Sequence, residues 1–197
     1  GAILQLQWDG RSLAAPGDYA VAQVHGEAVI VVRDEAGSIQ AISNVCRHRG
    51  GPVAHGTGNR RSLQCGYHGW TYRLDGSLQN APECEAMPPS ERAQTALHRF
   101  ETAVAGPLVF IRLSPGELPL KRWLSSIVER YGRDPFEGQR SAVRRLYTVE
   151  CNWKTYVENF LEGYHIPIVH PALYRLLDYD AYRTEAIEGG CVQVAPL

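Results

Sequence analysis

The stretch "NVCRHRGGP", residues 44–52, places Cys46 and His48 one residue apart among arginines and glycines. A soft thiolate and a borderline imidazole set so close in a turn read as half of a metal site. The other half is "LQCGYHGW", residues 63–70, which offers Cys65 and His68. Sixteen residues lie between His48 and Cys65. Four such ligands could hold a structural zinc. Zinc fingers, however, usually pair like with like, two cysteines on one arm and two histidines on the other.

Each arm here carries one residue of each kind. That suits a two-iron cluster in which each arm gives its cysteine to one iron and its histidine to the other. A Rieske centre is built so: two histidines replace two cysteines on one iron of a [2Fe–2S] cluster. Gly50, Gly51, Gly66 and Gly69 allow tight turns and bring backbone N–H groups close to sulfur, where such donors tune the potential. Trp70 and Tyr72 are expected to cover the cluster. Zinc remains the competing occupant.

Composition narrows the class. With 197 residues the chain makes one ordinary domain or two small ones. An apolar fraction of 44% with 21% charged residues is that of a soluble globular protein. The net charge of −1 points to no polyanion partner, neither nucleic acid nor an anionic membrane surface. No apolar run approaches the roughly 18–20 residues of a spanning helix, and "GAILQLQWDG" lacks the basic start of a signal peptide. Beyond the two arms, Cys84, Cys151 and Cys191 bring the cysteines to five. An odd number at scattered spacings is no disulfide framework, so a reducing cytoplasm is expected.

Residues 19–45 read as strands, with hairpin turns at His25-Gly26 and in "DEAGS", 34–38. Asp75-Gly76 marks another hairpin. Residues 81–95, rich in Pro, Glu and Ala, read as a loop, and 98–113 return to strand composition around Gly106-Pro107. Residues 1–118 are therefore expected to form an antiparallel β domain. From Pro119 the period changes: Leu120, Trp123, Leu124, Ile127, Val128 and Tyr131 recur at helical spacing, with Gly132 as a C-terminal cap. "SAVRRLYTVE", 141–150, alternates like a strand, and a second helix starts near Asn152. The fold class is α+β, with residues 119–197 as a second part.

That second helix opens "CNWKTYVENFLEGYHIPIVHP", 151–171. Trp153, Tyr156, Val157, Phe160, Leu161 and Tyr164 make one apolar stripe, read as core. Glu158, Glu162 and His165 fall together on another side, which a merely solvated face would also explain. On an unbroken helix His170 would project about 140° from His165. Pro167 breaks the helix and lets His170 turn back. Two histidines and a carboxylate make the facial triad of mononuclear Fe(II) oxygenases.

"CRHRG…CGYHGWTYRLDGSL" resembles the Rieske domain of the ring-hydroxylating non-haem iron oxygenases, with Gly66 where many members carry proline. "NWK…ENFLEGYHIPIVH" is similar to the iron-binding segment of the same family. The resemblance implies a Rieske cluster on Cys46, His48, Cys65 and His68, and a mononuclear Fe(II) on His165 and His170. It makes Glu162 the acidic bridge between that iron site and a Rieske histidine of a neighbouring subunit. It also implies a helix-grip catalytic domain, of which residues 119–197 would be the incomplete start. The family's third iron ligand is an acidic residue far downstream, and Asp178, Asp180, Glu185 and Glu188 do not match it. Glutamate at 162, where the aromatic-ring branch has aspartate, resembles the branch that oxidises choline, betaine or carnitine.

The implied activity is that of an O₂-dependent oxygenase hydroxylating or demethylating a small organic substrate, quaternary ammonium or aromatic. Electrons would come from NAD(P)H through a separate flavin reductase, directly or via a ferredoxin, since the chain has no dinucleotide fingerprint. A homotrimer is implied, and Arg47 and Arg49 could dock an acidic donor. A Rieske electron carrier without iron chemistry and a zinc-stapled binding module are the rival readings. His25, His55 and His98 stand isolated, in surface or turn roles.

By the same resemblance, respiratory Rieske proteins add a cysteine to each arm and a serine after the second His-Gly. Gly51, Tyr67 and Trp70 stand at those positions here. Fewer donors leave the reduced cluster less stabilised. A redox titration followed by EPR is expected to give a midpoint in the lower part of the roughly −150 to +300 mV Rieske range, below about +100 mV.

Overall fold

The computed structural model describes residues 3–7, 13–131, 138, 143, 145 and 147–197. The chain divides into two compact units, 1–142 and 143–197. In the first, the strands in chain order are β1 (Ile3–Gln7), β2 (Asp18–Val24), β3 (Glu27–Arg33), β4 (Ile39–Ser43), β5 (Thr57–Asn59), β6 (Leu63–Gln64), β7 (Thr71–Tyr72), β8 (Leu78–Asn80), β9 (Arg99–Ala105) and β10 (Leu108–Arg112). Seven of them form one sheet in the order β1-β10-β9-β4-β3-β2-β5, and β6-β7-β8 form a smaller one. Every pairing is antiparallel, as expected.

The turns fall where the sequence places them. His25 and Gly26, with φ of 49° and 86°, make the two-residue link from β2 to β3, the left-handed pair that matches strand twist. Asp34 closes the β3–β4 turn by accepting from the Ser38 N–H at 2.8 Å. Asp75 does the same for the β7–β8 turn, taking the Ser77 N–H at 2.9 Å. Its partial burial works against ionisation. The Ser77 bonds and Arg99 outweigh that and hold its carboxyl below the usual range.

β3 is buried on both faces, which is why "AVIVV" is an unbroken apolar run. Val29 and Val31 pack with Val24, Val109 and Ile111 on one side. Ile30 and Val32 pack on the other with Tyr19, Ile42, Leu63 and Tyr72. The small sheet and both Cys/His arms sit on that second face.

Two elements depart from expectation. The 81–95 loop contains a short helix, α1 (Pro89–Gln94), because proline at a first helical position arrives with its φ already set. The strand expected over 141–150 does not form in its described part, since residues 147–150 are irregular. Helix α2 (Leu120–Tyr131) forms as its period predicts, while its cap Gly132 lies outside the described residues. Leu120 and Leu124 bury against Ala103, Ala105, Leu108 and Phe110. This packing places α2 with the first unit, not with the part that follows it. Glu101 braces the junction, 3.0 Å from the buried Arg112 guanidinium and accepting the Leu120 N–H at the helix start.

The second unit holds α3 (Trp153–Phe160), α4 (Ile166–Val169), α5 (Pro171–Tyr174), a 3₁₀ turn at Tyr179–Ala181 and the hairpin β11 (Arg183–Ile187)–β12 (Gly190–Val194). Asn152 caps α3 through its side chain. The helix stops at Phe160, short of the run to His165 that its pattern promised. Gly163 is a poor helix former, and Pro167 has no N–H to give the Gly163 carbonyl. The apolar stripe expected to be core is exposed: Trp153 is 68% accessible and Phe160 69%. Among the described residues of this unit only Gly163 and Ile166 are buried, so it has no interior for the stripe to enter. No helix among the described residues is long and apolar enough to cross a membrane.

Leu120, with no solvent exposure, tests how α2 is held. Leu120→Ala should cost about 2–5 kcal/mol in urea unfolding of the whole chain.

Candidate metal centres

The first arm starts where β4 ends. Asn44 is buried there, its Oδ1 accepting from the Val53 and Ala54 N–H groups at 2.9 and 2.8 Å while its Nδ2 donates to Ala54 O at 2.9 Å. Between these anchors the arm folds back. Cys46 N–H donates to Gly51 O at 2.8 Å, and Gly50 N–H donates to Cys46 O at 2.9 Å. The second arm repeats the closure: Cys65 N–H to Trp70 O at 2.9 Å and Gly69 N–H to Cys65 O at 3.1 Å. Gly50 and Gly69 take φ of 75° and 73°, conformations open chiefly to glycine.

The two loops bring the four predicted side chains together. Cys46 and Cys65 are 4% and 3% exposed. His48 and His68 lie outside them, exposed, with ring centroids 4.6 Å apart and planes at 71°. Trp70 stacks on His48 at 5.0 Å, and Tyr67 leans on His68 at 3.9 Å. A Cβ on Gly51 would lie 3.3 Å from Cys65 Sγ, so glycine leaves room beside that sulfur. Gly66 faces open space, and nothing there demands glycine.

Two buried sulfurs and two outer imidazoles on matching loops fit a [2Fe–2S] cluster whose histidine-bound iron faces outward. Each loop carries one cysteine and one histidine, whereas zinc fingers usually pair like with like on each arm. Partial desolvation, then His68 and Arg49, hold His48 below the usual imidazole range although it stays exposed. The neutral ring so favoured is the ligating form.

Tyr72 does more than cover the site. Its hydroxyl lies 3.3 Å from Cys46 Sγ and accepts the Arg47 N–H at 3.0 Å. Burial, and then the Cys46 contact, push this phenol far above its ordinary range. It therefore keeps its proton. With Arg47 on the acceptor side, that proton is free to point at Cys46. The count of donors behind the low expected potential thus omitted a hydroxyl. The signal was present, since Trp70, Tyr72 and Leu74 recur at every second position through β7 and its flanks and are all buried. Asn44, unassigned in the sequence, had the signature of an Asx side chain ending a strand.

In the second unit Glu162 and His165 meet through a tight turn past the end of α3. One carboxylate oxygen of Glu162 accepts the Tyr164 and His165 N–H groups at 2.6 and 3.3 Å, and the other contacts His165 Nδ1. The His165 bond first, and then these backbone donors against slight desolvation, hold Glu162 below the usual carboxylate range. Glu158 stays on the exposed surface of α3. His170 does turn back, its ring centroid 5.1 Å from that of His165 at 73°. Glu162, His165 and His170 line one cavity of about 700 Å³ with Tyr156, Phe160 and Tyr182. Asp178 instead accepts from Ala181 N, and Glu185 pairs with Arg183. No third acidic ligand joins the histidines among the described residues.

Comparison with known proteins follows this division. Residues 8–100 match the Rieske [2Fe-2S] domain, and residues 136–188 match the ring hydroxylating alpha subunit (catalytic domain). Choline monooxygenase, chloroplastic, of Arabidopsis thaliana is 35% identical over 83% of this chain and 42% of its own length. The carnitine monooxygenase oxygenase subunit of Acinetobacter pittii (strain PHEA-2) is 30% identical over 88% of this chain and 47% of its own. A solved quaternary ammonium Rieske monooxygenase, described in terms of carnitine oxidation and inter-subunit electron transfer, superposes with a TM-score of 0.77. It is 28% identical, over 94% of this chain and 52% of that one. The chain thus spans about half the length of these relatives.

Tyr72→Phe removes the hydroxyl and keeps the ring. The cluster should still assemble, with a lower midpoint than the parent in the same titration. Asn44→Ala should instead lose stability, at about 1–3 kcal/mol for each buried group left unpaired, in thermal unfolding of the whole chain.

Proposed function

We propose that this chain, which belongs to the family of Rieske-type ring-hydroxylating oxygenases, is part of an oxygenase component that hydroxylates or demethylates a quaternary ammonium compound. The observation that carries the reading is one chain holding both matched Cys/His arms and a Glu162–His165–His170 cavity. An electron carrier has no use for the second. Relatives named for choline and carnitine, and glutamate at 162, favour the quaternary ammonium class over an aromatic one.

Cys46, His48, Cys65 and His68 are the residues that would hold the cluster, and His165 and His170 two ligands of the mononuclear iron. When bound, these groups supply one-electron transfer and activation of O₂. The protein's own contribution is in positioning. Trp70 and Tyr72 keep water from the cysteines, and the exposed imidazole edges of His48 and His68 give electrons a way across the surface. Glu162 takes the Nδ1 side of His165, which would fix the tautomer and leave Nε2 as the nitrogen to hold the metal. Phe160, Tyr156 and Tyr182 give the cavity apolar walls, suited to a trimethylammonium group against ring faces.

The remaining parts of the proposal rest on the family. Glu162 would link His165 to a Rieske histidine of the neighbouring subunit in a homotrimer, and NAD(P)H would supply electrons through a flavin reductase, directly or via a ferredoxin. A further acidic residue would complete the iron site. Cys84, Cys151 and Cys191, none of them in a disulfide, fit work in a reducing cytoplasm.

Iron and acid-labile sulfide are to be counted on anaerobically purified protein. The expected result is about three irons to two sulfides per chain. About two to two would favour a Rieske electron carrier or an incomplete iron site. Glu162→Gln should leave both metal contents unchanged and abolish turnover of a trimethylammonium substrate; undiminished turnover would remove the bridge.

A further inference from the structure

The turn carrying Glu162 and His165 is held from the far end of its own unit. The Tyr179 hydroxyl donates to Gly163 O at 3.1 Å. Gln193 Nε2 donates to Phe160 O at 2.6 Å, at the carbonyl end of α3. Tyr182 lies against Gly163 so closely that a Cβ there would fall 2.6 Å from its Cε1 and 2.7 Å from its hydroxyl oxygen. The Tyr179 and Tyr182 rings stack at 5.8 Å and 19°, with Tyr174 edge-on to Tyr179 at 5.2 Å. Asp178 caps the 3₁₀ turn that presents both rings.

Glu162 sits between the two pinned carbonyls, Phe160 O and Gly163 O. These belong to the peptide joining Phe160 to Leu161 and the one joining Gly163 to Tyr164, so the three residues 161–163 are held at both ends and the directions open to the Glu162 Cα–Cβ bond are narrowed. The direction taken brings the carboxylate over the Tyr164 and His165 N–H groups and His165 Nδ1. Two further observations mark the contact as built. Gly163 is one of only two buried residues described in a unit that leaves large apolar side chains exposed. The Tyr182 hydroxyl is buried with no hydrogen-bond partner among the described residues, so packing on Gly163, not its polar tip, places that ring.

We propose that Tyr179, Tyr182 and Gln193 form a clamp that positions Glu162 on His165, and that position 163 is glycine to admit it. The inference rests on the metal-site reading of His165 and His170. All three act on Glu162 as positioning residues, through two carbonyls and a glycine face; Tyr182 and Gln193 also line the cavity, whereas Tyr179 is not among its lining residues. Outer partners of this kind typically change metal affinity by 10–100-fold.

The test is cobalt(II) binding to the whole chain with its cluster in place, followed by visible absorption. It compares the parent with Tyr179→Phe, Gly163→Ala and, as a control, Tyr174→Phe, whose hydroxyl belongs to none of these bonds. Amide exchange at Tyr164 and His165 is read in parallel, and the cluster EPR signal reports that the first unit is intact. The clamp predicts cobalt binding weaker by about 10-fold in Tyr179→Phe and by more in Gly163→Ala. It also predicts faster exchange at both amides, with Tyr174→Phe like the parent. Unchanged affinity and exchange in Tyr179→Phe would overturn it. If the parent itself binds no cobalt, the metal-site reading fails. The exchange data then decide alone: acceleration confined to the two amides in Tyr179→Phe keeps the clamp, and none removes it.

Discussion

Two cysteine sulfurs can share a cluster only if their loops stand side by side with no buried peptide group left unpaired. Here one closure is used twice: the cysteine N–H reaches a carbonyl five residues on, and its carbonyl takes the N–H four residues on. Each copy needs a residue at positive φ at its fourth position, and glycine supplies it. The rest of the first unit can be read as support for this pair of loops. β3, apolar on both faces, carries the layer they stand on, and Asn44 ties the first loop to the residues after it. Buried backbone groups are thereby satisfied around a site that offers sulfur little contact with water.

The second unit is ordered on different terms. Glu162, His165 and His170 do not rise from one helical face. They are gathered by turns: one past the end of α3 for Glu162 and His165, and one past the short α4 for His170. Such a site depends on specific local bonds more than on burial, because the unit has almost no interior of its own. A single lost hydrogen bond there would move a candidate ligand, whereas one in the sheet would be absorbed by its neighbours.

This contrast also explains how far the sequence could be read. Mixed Cys/His arms are legible because metal ligands must come in fixed kinds and spacings. The hairpins are legible because His25-Gly26 and Asp75-Gly76 are backbone requirements written as residue types. The end of α3 was not, because apolar residues continue at helical spacing to Tyr164 after the last helical hydrogen bond, Leu161 N–H to Val157 O, has been made. Periodicity reports what a helix would bury, not where it ends; Gly163 and Pro167 carried that information. The short helix at Pro89 was hidden by the same residues that start it. Tyr72 was expected beside the Cys/His arms, and its hydroxyl does lie against Cys46 Sγ. The direction of its hydroxyl depends on Arg47 N–H across the fold, and no local pattern records that.

Gly51 has a consequence of another sort. A Cβ at this position would stand 3.6 Å from the Cβ of Tyr67, within the separation that two bridged cysteines adopt. The backbone therefore already has the shape that a crosslink between the arms would need. Whether a cluster of this build is latched by a covalent tie or left with free-standing loops is a matter of two side chains, with no change of fold. The scaffold permits either redox design, and this chain has taken the unlatched one.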